Sequence, residues 1–428
     1  MPPPWGGDEH IVSAEYSRPF IAHASIGPSC ALARFGADGG LHIWSHSQGV
    51  FPLRSDIARA LGMRAEDISV EHVQGSGCYG HNGADDVAFD AALMAREMPG
   101  RVVRVQWSRH DEFAWSPVGS AMRTRIEARV DAKGNVVHWE LDVHSGSHMN
   151  RPGSSPDGIK LLAAAHLAKP LPLGTPIDAT VEHGGGGDRN ALVEYGFPSQ
   201  GVAYHFHARM PLRTSSLRGL GAFANVFAIE SFMDELAGVM DIDAVELRLR
   251  YLKDERARVV LRAAHTMVAA GLDQETHRGR AIGCGYARYK NIAAYCAVFI
   301  ELSVETQVRL HRVWCAIDAG LVINPDGLVN QIEGGILQAA SWTLKEQVTW
   351  KPGRITSTDW ESYPILRFSE VPEIEVRLID AANHPALGVG EAAQGPTAAA
   401  IANAVTRALG FRPRHLPFTR DRLVALIE

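Results

Sequence analysis

Gly388-Val389-Gly390-Glu391 stands just ahead of Pro396 and an alanine-rich run, Thr397 to Leu409, that ends at Gly410. Proline suits the first turn of a helix and glycine its end, so the run is expected to be helical. Two glycines around a small residue let the backbone turn tightly and approach a ligand. A carboxylate on such a turn is placed by the backbone rather than by a floppy stem, which is what a general base requires. The alternative is a helix N-terminus whose glutamate only complements the macrodipole. Spacing alone leaves both open, and the rest of the chain has to decide.

The 428 residues are 46% apolar and 21% charged, an ordinary globular composition with room for two or three domains. The net charge of -6 gives no reason to expect nucleic acid or an anionic membrane surface. No apolar run reaches the roughly 18 residues of a transmembrane span. The start, Met1-Pro-Pro-Pro-Trp-Gly-Gly, has neither the basic nor the apolar region of a signal peptide. Cys30, Cys78, Cys284, Cys296 and Cys315 are odd in number and none are spaced as CxxC. A disulfide framework, a zinc ribbon and an iron–sulfur cluster within the chain are therefore not expected. The thiols read as buried side chains of a reducing compartment, and the expected location is cytoplasmic.

Strand and helix patterns alternate without a repeat. A strand pair is expected over 29–50, and helices over Ser55–Leu61 and Asp86–Met98, the latter with Val87, Ala91, Met94 and Met98 inward. Thr124–Val143 reads as a hairpin, with Ile126, Ala128 and Val130 answered by Val137, Trp139, Leu141 and Val143 across a Lys133-Gly134-Asn135 turn. Residues 150–200 are Pro- and Gly-rich, and Gly184–Gly187 is either a mobile surface loop or a phosphate cradle. Ala222–Met240 reads as a long amphipathic helix. Lys253–Arg280 reads as a charged helix and connector near a domain boundary. A second hairpin covers Ala297–Ile317, and a helix with Leu328, Ile332 and Leu337 follows Asn324-Pro325. Gly334-Gly335 inside it costs roughly 1–2 kcal/mol in propensity, which suggests close approach of a backbone, a ligand or another helix.

Three further stretches are candidate ligand loops. Gln74 to His81 is a glycine-rich loop between a strand and a helix, able to aim N–H groups at an anion. It is neither GxGxxG nor a Walker motif, so the usual nucleotide readings are weak. Arg218-Gly219-Leu220-Gly221 runs into the helix from Ala222. Ser47-Gln48-Gly49 ends a strand with a side-chain amide on offer. His205 and His207 share one strand face, but a third metal ligand is not evident. GxSxG is absent, so hydrolase chemistry has little support.

In order, these motifs resemble the molybdenum-binding subunit of the xanthine dehydrogenase/aldehyde oxidase family, in its isoquinoline oxidoreductase and nicotinate dehydrogenase branch. The resemblance runs from Tyr16 to Phe418. It is carried by Ser47-Gln48-Gly49, Tyr79-Gly80, Pro211–Thr214 through Arg218–Gly221, Phe227–Glu235, Asp318–Pro325, Gln331–Gly335 with Gln338, and Gly388–Glu391. It implies an α+β fold of two mixed α/β cofactor-binding domains, 1–260 and 261–428, with the cofactor cleft between them. It implies molybdenum held by a pterin dithiolene, in the cytosine dinucleotide form, without protein ligands to the metal. Carried over, Gln48 lies close to the molybdenum's oxo ligand, and Gly77, Tyr79, Gly80, Arg218, Gly219 and Gly221 flank the dithiolene. Gln331, Gln338, Gly388 and Gly390 touch pterin or dinucleotide, and Glu391 is the base of a water-derived hydroxylation of an N-heteroaromatic compound or aldehyde. The family's large subunit has a further domain ahead of this region. The implied partners are a small [2Fe-2S] subunit, a chain supplying that domain, and a cytochrome or flavin acceptor, which could tie the complex to the inner membrane. The competing expectation is a degenerate or split subunit that keeps the fold as a scaffold. A nicotinamide dehydrogenase lacks its fingerprint here.

Overall fold

The computed structural model describes residues 9–271 and 279–427. The N-terminal Met-Pro-Pro-Pro-Trp-Gly-Gly stretch and part of the expected connector before Arg280 lie outside the described residues. In chain order come β1 (His10–Arg18), β2 (Cys30–Phe35), β3 (Leu41–Ser45), α1 (Val50–Leu61), β4 (Ile68–His72), α2 (Ala84–Arg96), β5 (Val103–Gln106), α3 (Arg109–Trp115), β6 (Met122–Val130), β7 (Val136–Ser145) and β8 (Gln200–Phe206). They are followed by α4 (Ala222–Val239), α5 (Ala244–Tyr251), α6 (Glu255–Gly271), β9 (Ala281–Arg288), β10 (Tyr295–Val304), β11 (Val308–Asp318), α7 (Pro325–Leu344), β12 (Trp350–Lys351), β13 (Arg354–Ile355), β14 (Glu373–Leu378), α8 (Gln394–Leu409) and α9 (Arg420–Val424). The fold is α+β, and its larger sheets mix directions. They run β1-β6-β7-β8, β4-β3-β2-β5 and β14-β11-β10-β9, with β7–β8, β3–β4 and β11–β14 the parallel pairs.

The hairpin of β6 and β7 turns where expected. Asp131 Oδ1 accepts from the amides of Lys133 (2.9 Å) and Asn135 (2.8 Å), and Gly134 takes a φ of +78°. The alternation differs in one place. Arg129 pairs with His138 but Val130 with Val136, so Val137 is the extra residue of a bulge. Val136, not Val137, is buried, because a bulge shifts the pleat by one residue.

Two helices depart from their expected faces. Along α2 the buried apolar residues are Ala84, Val87, Ala88, Phe89, Ala91, Ala92 and Ala95, while Met94, and Met98 just past the helix, point outward at 53% and 43% exposure. The small alanines let the helix lie close to its sheet and leave the long methionines at the rim. Helix α4 is not amphipathic but buried without a break from Ala222 to Asp234. Its covering partner is α8. A Cβ at Gly395 would fall 2.5 Å from Val226 Cβ, so only glycine admits this contact. On its other side α8 lies on β9, where a Cβ at Gly283 or Gly285 would come within 2.2 Å of Ala400 O or 2.4 Å of Pro396 O. The alanines of α8 and the glycines facing it thus set the depth at which Glu391, just before the helix, is held. Gly410 ends α8 in the left-handed conformation, its amide bonded to Thr406 O at 2.9 Å. In α7 the inward residue is Ile336, with Leu337 half-buried.

Candidate active site

The glycine loop after β4 reaches the turn before α4 through its backbone. Arg218 N–H donates to Tyr79 O (2.8 Å), His81 N–H to Ser216 O (2.8 Å), and Gly80 forms a bridge with Leu217. Gly80 has φ +121°, and a Cβ there would fall 2.1 Å from Ser216 O. Gly77 has φ +97°, with the Tyr79 ring 2.7 Å from its would-be Cβ. Gly80→Ala is therefore expected to cost at least about 2 kcal/mol, from strained backbone plus overpacking. Gly388→Ala, whose Cβ would meet nothing within 4 Å, should stay within about 0.5 kcal/mol of the parent. Urea unfolding of the two variants checks the contrast.

Arg218 is the hub. Its Nε donates to Gly390 O (2.8 Å), Nη1 to Gln338 Oε1 (3.2 Å) and Nη2 to Gln331 O (3.1 Å), while Gln331 Nε2 also donates to Gly390 O (3.1 Å). Burial lowers the guanidinium's pKa, and the charge of Glu391 pulls it back. Gly335 is where α7 comes close: its would-be Cβ lies 3.4 Å from Ala393 Cβ and 3.6 Å from Arg218 Nη2. Gly334 beside it faces open space.

Glu391 Oε1 accepts the Gly219 N–H at 2.8 Å, so the amide at the start of α4 is occupied by a carboxylate of the chain itself. Tyr289 donates its hydroxyl to Oε2, and Arg189 Nη1 stands 3.7 Å from the same oxygen. The side chain remains 28% exposed. None of these partners belongs to α8, so the carboxylate is not spent on capping its own helix. Burial raises the Tyr289 pKa, and the negative charge of Glu391 raises it further.

The expected residues thus fall into two groups. Gly77, Tyr79, Gly80, Arg218, Gly219, Gln331, Gln338, Gly390 and Glu391 are joined by direct contacts, with Gly221 two residues beyond Gly219, its amide on Gly186 O (3.1 Å). Gln48 is exposed and makes no hydrogen bond among the described residues. Its neighbours link to the glycine loop, Cys78 Sγ bonding His46 O at 2.8 Å. The expected turn is there, closed by the Ala392 N–H on Val389 O (3.3 Å) around Gly390 and Glu391, but neither Gly388 nor Gly390 has a positive φ, so it does not draw on the conformational freedom of glycine. Gly388 itself is exposed. The tetraglycine loop is not a mobile surface loop: Gly185, Gly186 and Gly187 are buried, and Asp178 Oδ2 accepts the Gly187 amide at 2.8 Å. Tyr289 and Arg189 were missed because each sits singly beside a strand end or glycines, with no pattern around it. His207 Nε2 meets His144 Nδ1 at 3.0 Å, yet no set of metal ligands forms among the described residues. Cys78, Cys284, Cys296 and Cys315 are buried and unpaired, with Cys30 half-buried. A cavity of about 780 Å³ at the C-terminal end of α7 holds none of these site residues.

Residues 5–156 and 226–372 each match the family description "Molybdopterin cofactor-binding domain". The chain belongs to the xanthine dehydrogenase/aldehyde oxidase family, as a molybdopterin-binding subunit. It is 36% identical to a nicotinate dehydrogenase subunit of Pseudomonas putida over 97% of its own length and 35% of that protein's. It is 29% identical to the beta subunit of isoquinoline 1-oxidoreductase of Brevundimonas diminuta over 96% of this chain and 50% of that one. The chain therefore spans about a third to a half of these relatives. Its fold is that of quinoline 2-oxidoreductase from Pseudomonas putida 86, with a TM-score of 0.78 at 14% identity, covering 97% of this chain and 76% of that one. No helix among the described residues is long and apolar enough to cross a membrane.

Proposed function

We propose that the chain is the cofactor-binding, catalytic part of a molybdenum hydroxylase. It would place a water-derived oxygen on an electron-poor carbon of an N-heteroaromatic compound, or on an aldehyde carbon, and pass electrons to an iron–sulfur partner. The observation that carries this reading is Glu391: a partly exposed carboxylate, fixed from two sides, at the point where four motif segments meet. The names of the relatives, a nicotinate dehydrogenase and an isoquinoline oxidoreductase, favour the heteroaromatic substrate.

The residues fit the molybdenum–pterin group. Gly334 and Gly388 leave backbone open where a ligand could lie close. Beside the glycine loop, Asn150 Oδ1, His148 Nδ1 and Arg213 Nη1 are buried without a partner among the described residues. A polar, charged cofactor would relieve such groups, which are costly to leave unpaired. We assign Gln48, Gly77, Tyr79, Gly80 and Arg218 to Gly221 to the dithiolene side, and Gln331, Gln338, Gly388 and Gly390 to the pterin or its cytosine dinucleotide. When bound, the cofactor supplies oxygen transfer and two-electron chemistry. The chain's own work is then to bind and orient. Arg218 ties α7 to the Gly390 carbonyl and so fixes the segment leading to Glu391. The Gly219 amide and the Tyr289 hydroxyl hold the carboxylate in one orientation, ready to take a proton from the water-derived oxygen.

The cleft of this reading lies between 1–260 and 261–428, since Arg218 and Glu391 come from opposite halves. A [2Fe-2S] subunit, a chain carrying the family's remaining domain, and a cytochrome or flavin acceptor complete the proposed cytoplasmic complex. The test is molybdenum analysis of the chain co-expressed with its partners in a host that makes the cofactor. Molybdenum equimolar with the chain, and bleaching of the iron–sulfur absorbance by an N-heteroaromatic substrate, are the expected results. A complex that assembles without molybdenum would instead leave the chain as a scaffold.

A further inference from the structure

Lys290 stands beside the proposed base in a conformation that the surrounding chain enforces. Lys290 and its neighbour Asn291 have φ of +56° and +60°, a region that L side chains rarely adopt. Strain of this kind persists where neighbours over-determine it, and it gathers at functional sites. Here the neighbours are the segment after the tetraglycine. Asn190 Oδ1 accepts the Lys290 amide (2.8 Å) and Asn190 Nδ2 donates to Arg288 O (2.8 Å). Arg189 Nη1 donates to the Tyr289 hydroxyl (2.6 Å), and Asn291 Nδ2 to Leu192 O (2.9 Å). Gly184 completes the clamp: a Cβ there would sit 3.1 Å from Lys290 Cδ, so a side chain would crowd the lysine stem.

The clamp presents a cation. Lys290 Nζ lies 5.6 Å from the centroid of the Tyr289 ring, the same ring whose hydroxyl meets Glu391. Its ammonium makes no hydrogen bond or ion pair among the described residues, and its aromatic contact is with Tyr289. The other cations around Glu391 are committed. Arg189 donates to Gly184 O, Gly185 O and Tyr289, and Arg218 to Gly390 O, Gln331 O and Gln338. One aromatic side chain therefore spans the distance from the base to an uncommitted ammonium.

Resting on the hydroxylation reading, the geometry points to Lys290 as the anchor for a carboxylate substituent of the substrate, received while the ring carbon to be hydroxylated faces Glu391. The substrate class is then an anionic heteroaromatic acid rather than a neutral heterocycle. Burial lowers the ammonium's pKa, as does the nearby charge of Arg189, while Glu391 opposes the shift. An incoming carboxylate supplies the missing counter-charge. Lysine acts here as a point charge with rotatable donors, so arginine should replace it in part.

The test is calorimetric binding of pyridine-3-carboxylate and of its neutral amide, pyridine-3-carboxamide, to the cofactor-loaded complex with Glu391→Gln, which separates binding from turnover. The acid is expected to bind more tightly than the amide. Lys290→Met should weaken the acid roughly 10- to 100-fold, the loss expected for a hydrogen bond to a charged group, and leave the amide unchanged. Lys290→Arg should keep the acid preferred. Equal binding of acid and amide to the complex with Lys290 intact, or equal weakening of both by Lys290→Met, overturns the proposal. Acid-selective binding together with failure of the Glu391-intact complex to hydroxylate either compound supports the anchor and sinks the hydroxylation reading alone.

Discussion

Glu391→Gln is expected to lower turnover by at least ~10²–10⁴-fold, the usual contribution of a general base, while molybdenum content stays near that of the parent. The geometry explains the separation. Glutamine keeps the shape, and its carbonyl oxygen can still accept the Gly219 N–H now made at 2.8 Å. The Tyr289 hydroxyl loses its acceptor, but it still receives the Arg189 bond at 2.6 Å, so the cost in stability is about 1 kcal/mol. What disappears is the ability to take a proton. The loss should fall on the half-reaction in which substrate reduces the enzyme, followed by stopped-flow absorbance in a single turnover. If the carboxylate serves only to dock the start of α4, the amide does the same work, and reduction proceeds at nearly the parent rate. That outcome would remove Glu391 from the chemistry.

How far this site could be read from sequence varies by residue. Arg218-Gly219 and Gly388–Glu391 stood out as glycine-flanked polar groups, and the structure joins them through Gly219 N and Gly390 O. The sequence carried no trace of what completes the grip. Tyr289 follows a strand whose glycines, Gly283 and Gly285, are there to admit α8, and nothing in their spacing points to a hydroxyl aimed at a carboxylate 102 residues away. The role of single glycines was legible only in part. Gly80 does need its φ of +121°, whereas Gly388 does not use the freedom that its residue type offers. Composition reports permission, and only packing says whether it is used. The same limit explains α4. Its periodicity suggested a wet face, but α8 and the sheets cover that face too, and burial on all sides comes from tertiary contacts that a local pattern does not encode.

The other large effect is expected at Arg248, remote from Glu391 but built into the same support. Arg248 and Glu230 are both buried, at 0% and 2% exposure of their side chains. Arg248 Nε donates to Glu230 Oε2 (2.7 Å), Nη2 to Glu230 O (2.7 Å) and Nη1 to Ala244 O (2.9 Å). Glu230 also receives the Tyr195 hydroxyl (2.5 Å) and the Tyr286 amide (2.9 Å). Asn403 of α8 donates to Glu230 O (3.2 Å) and Cys284 O (2.9 Å), so α4, α5, α8 and β9 meet at this one network. Arg248→Met leaves a carboxylate buried without its counter-charge, and a loss of about 3–5 kcal/mol is expected. Adding Glu230→Gln to it removes the stranded charge but keeps an oxygen for Tyr195 or Tyr286, so part of the stability should return. Urea unfolding of the parent, the single variant and the double variant measures this directly. A double variant no more stable than Arg248→Met would mean that lost packing of the guanidinium, not the unpaired carboxylate, sets the cost. Because this network fixes how deeply α8 seats against α4, the single variant should also lose bound molybdenum before it unfolds, as the Gly219–Glu391 contact loosens with the helices that carry it.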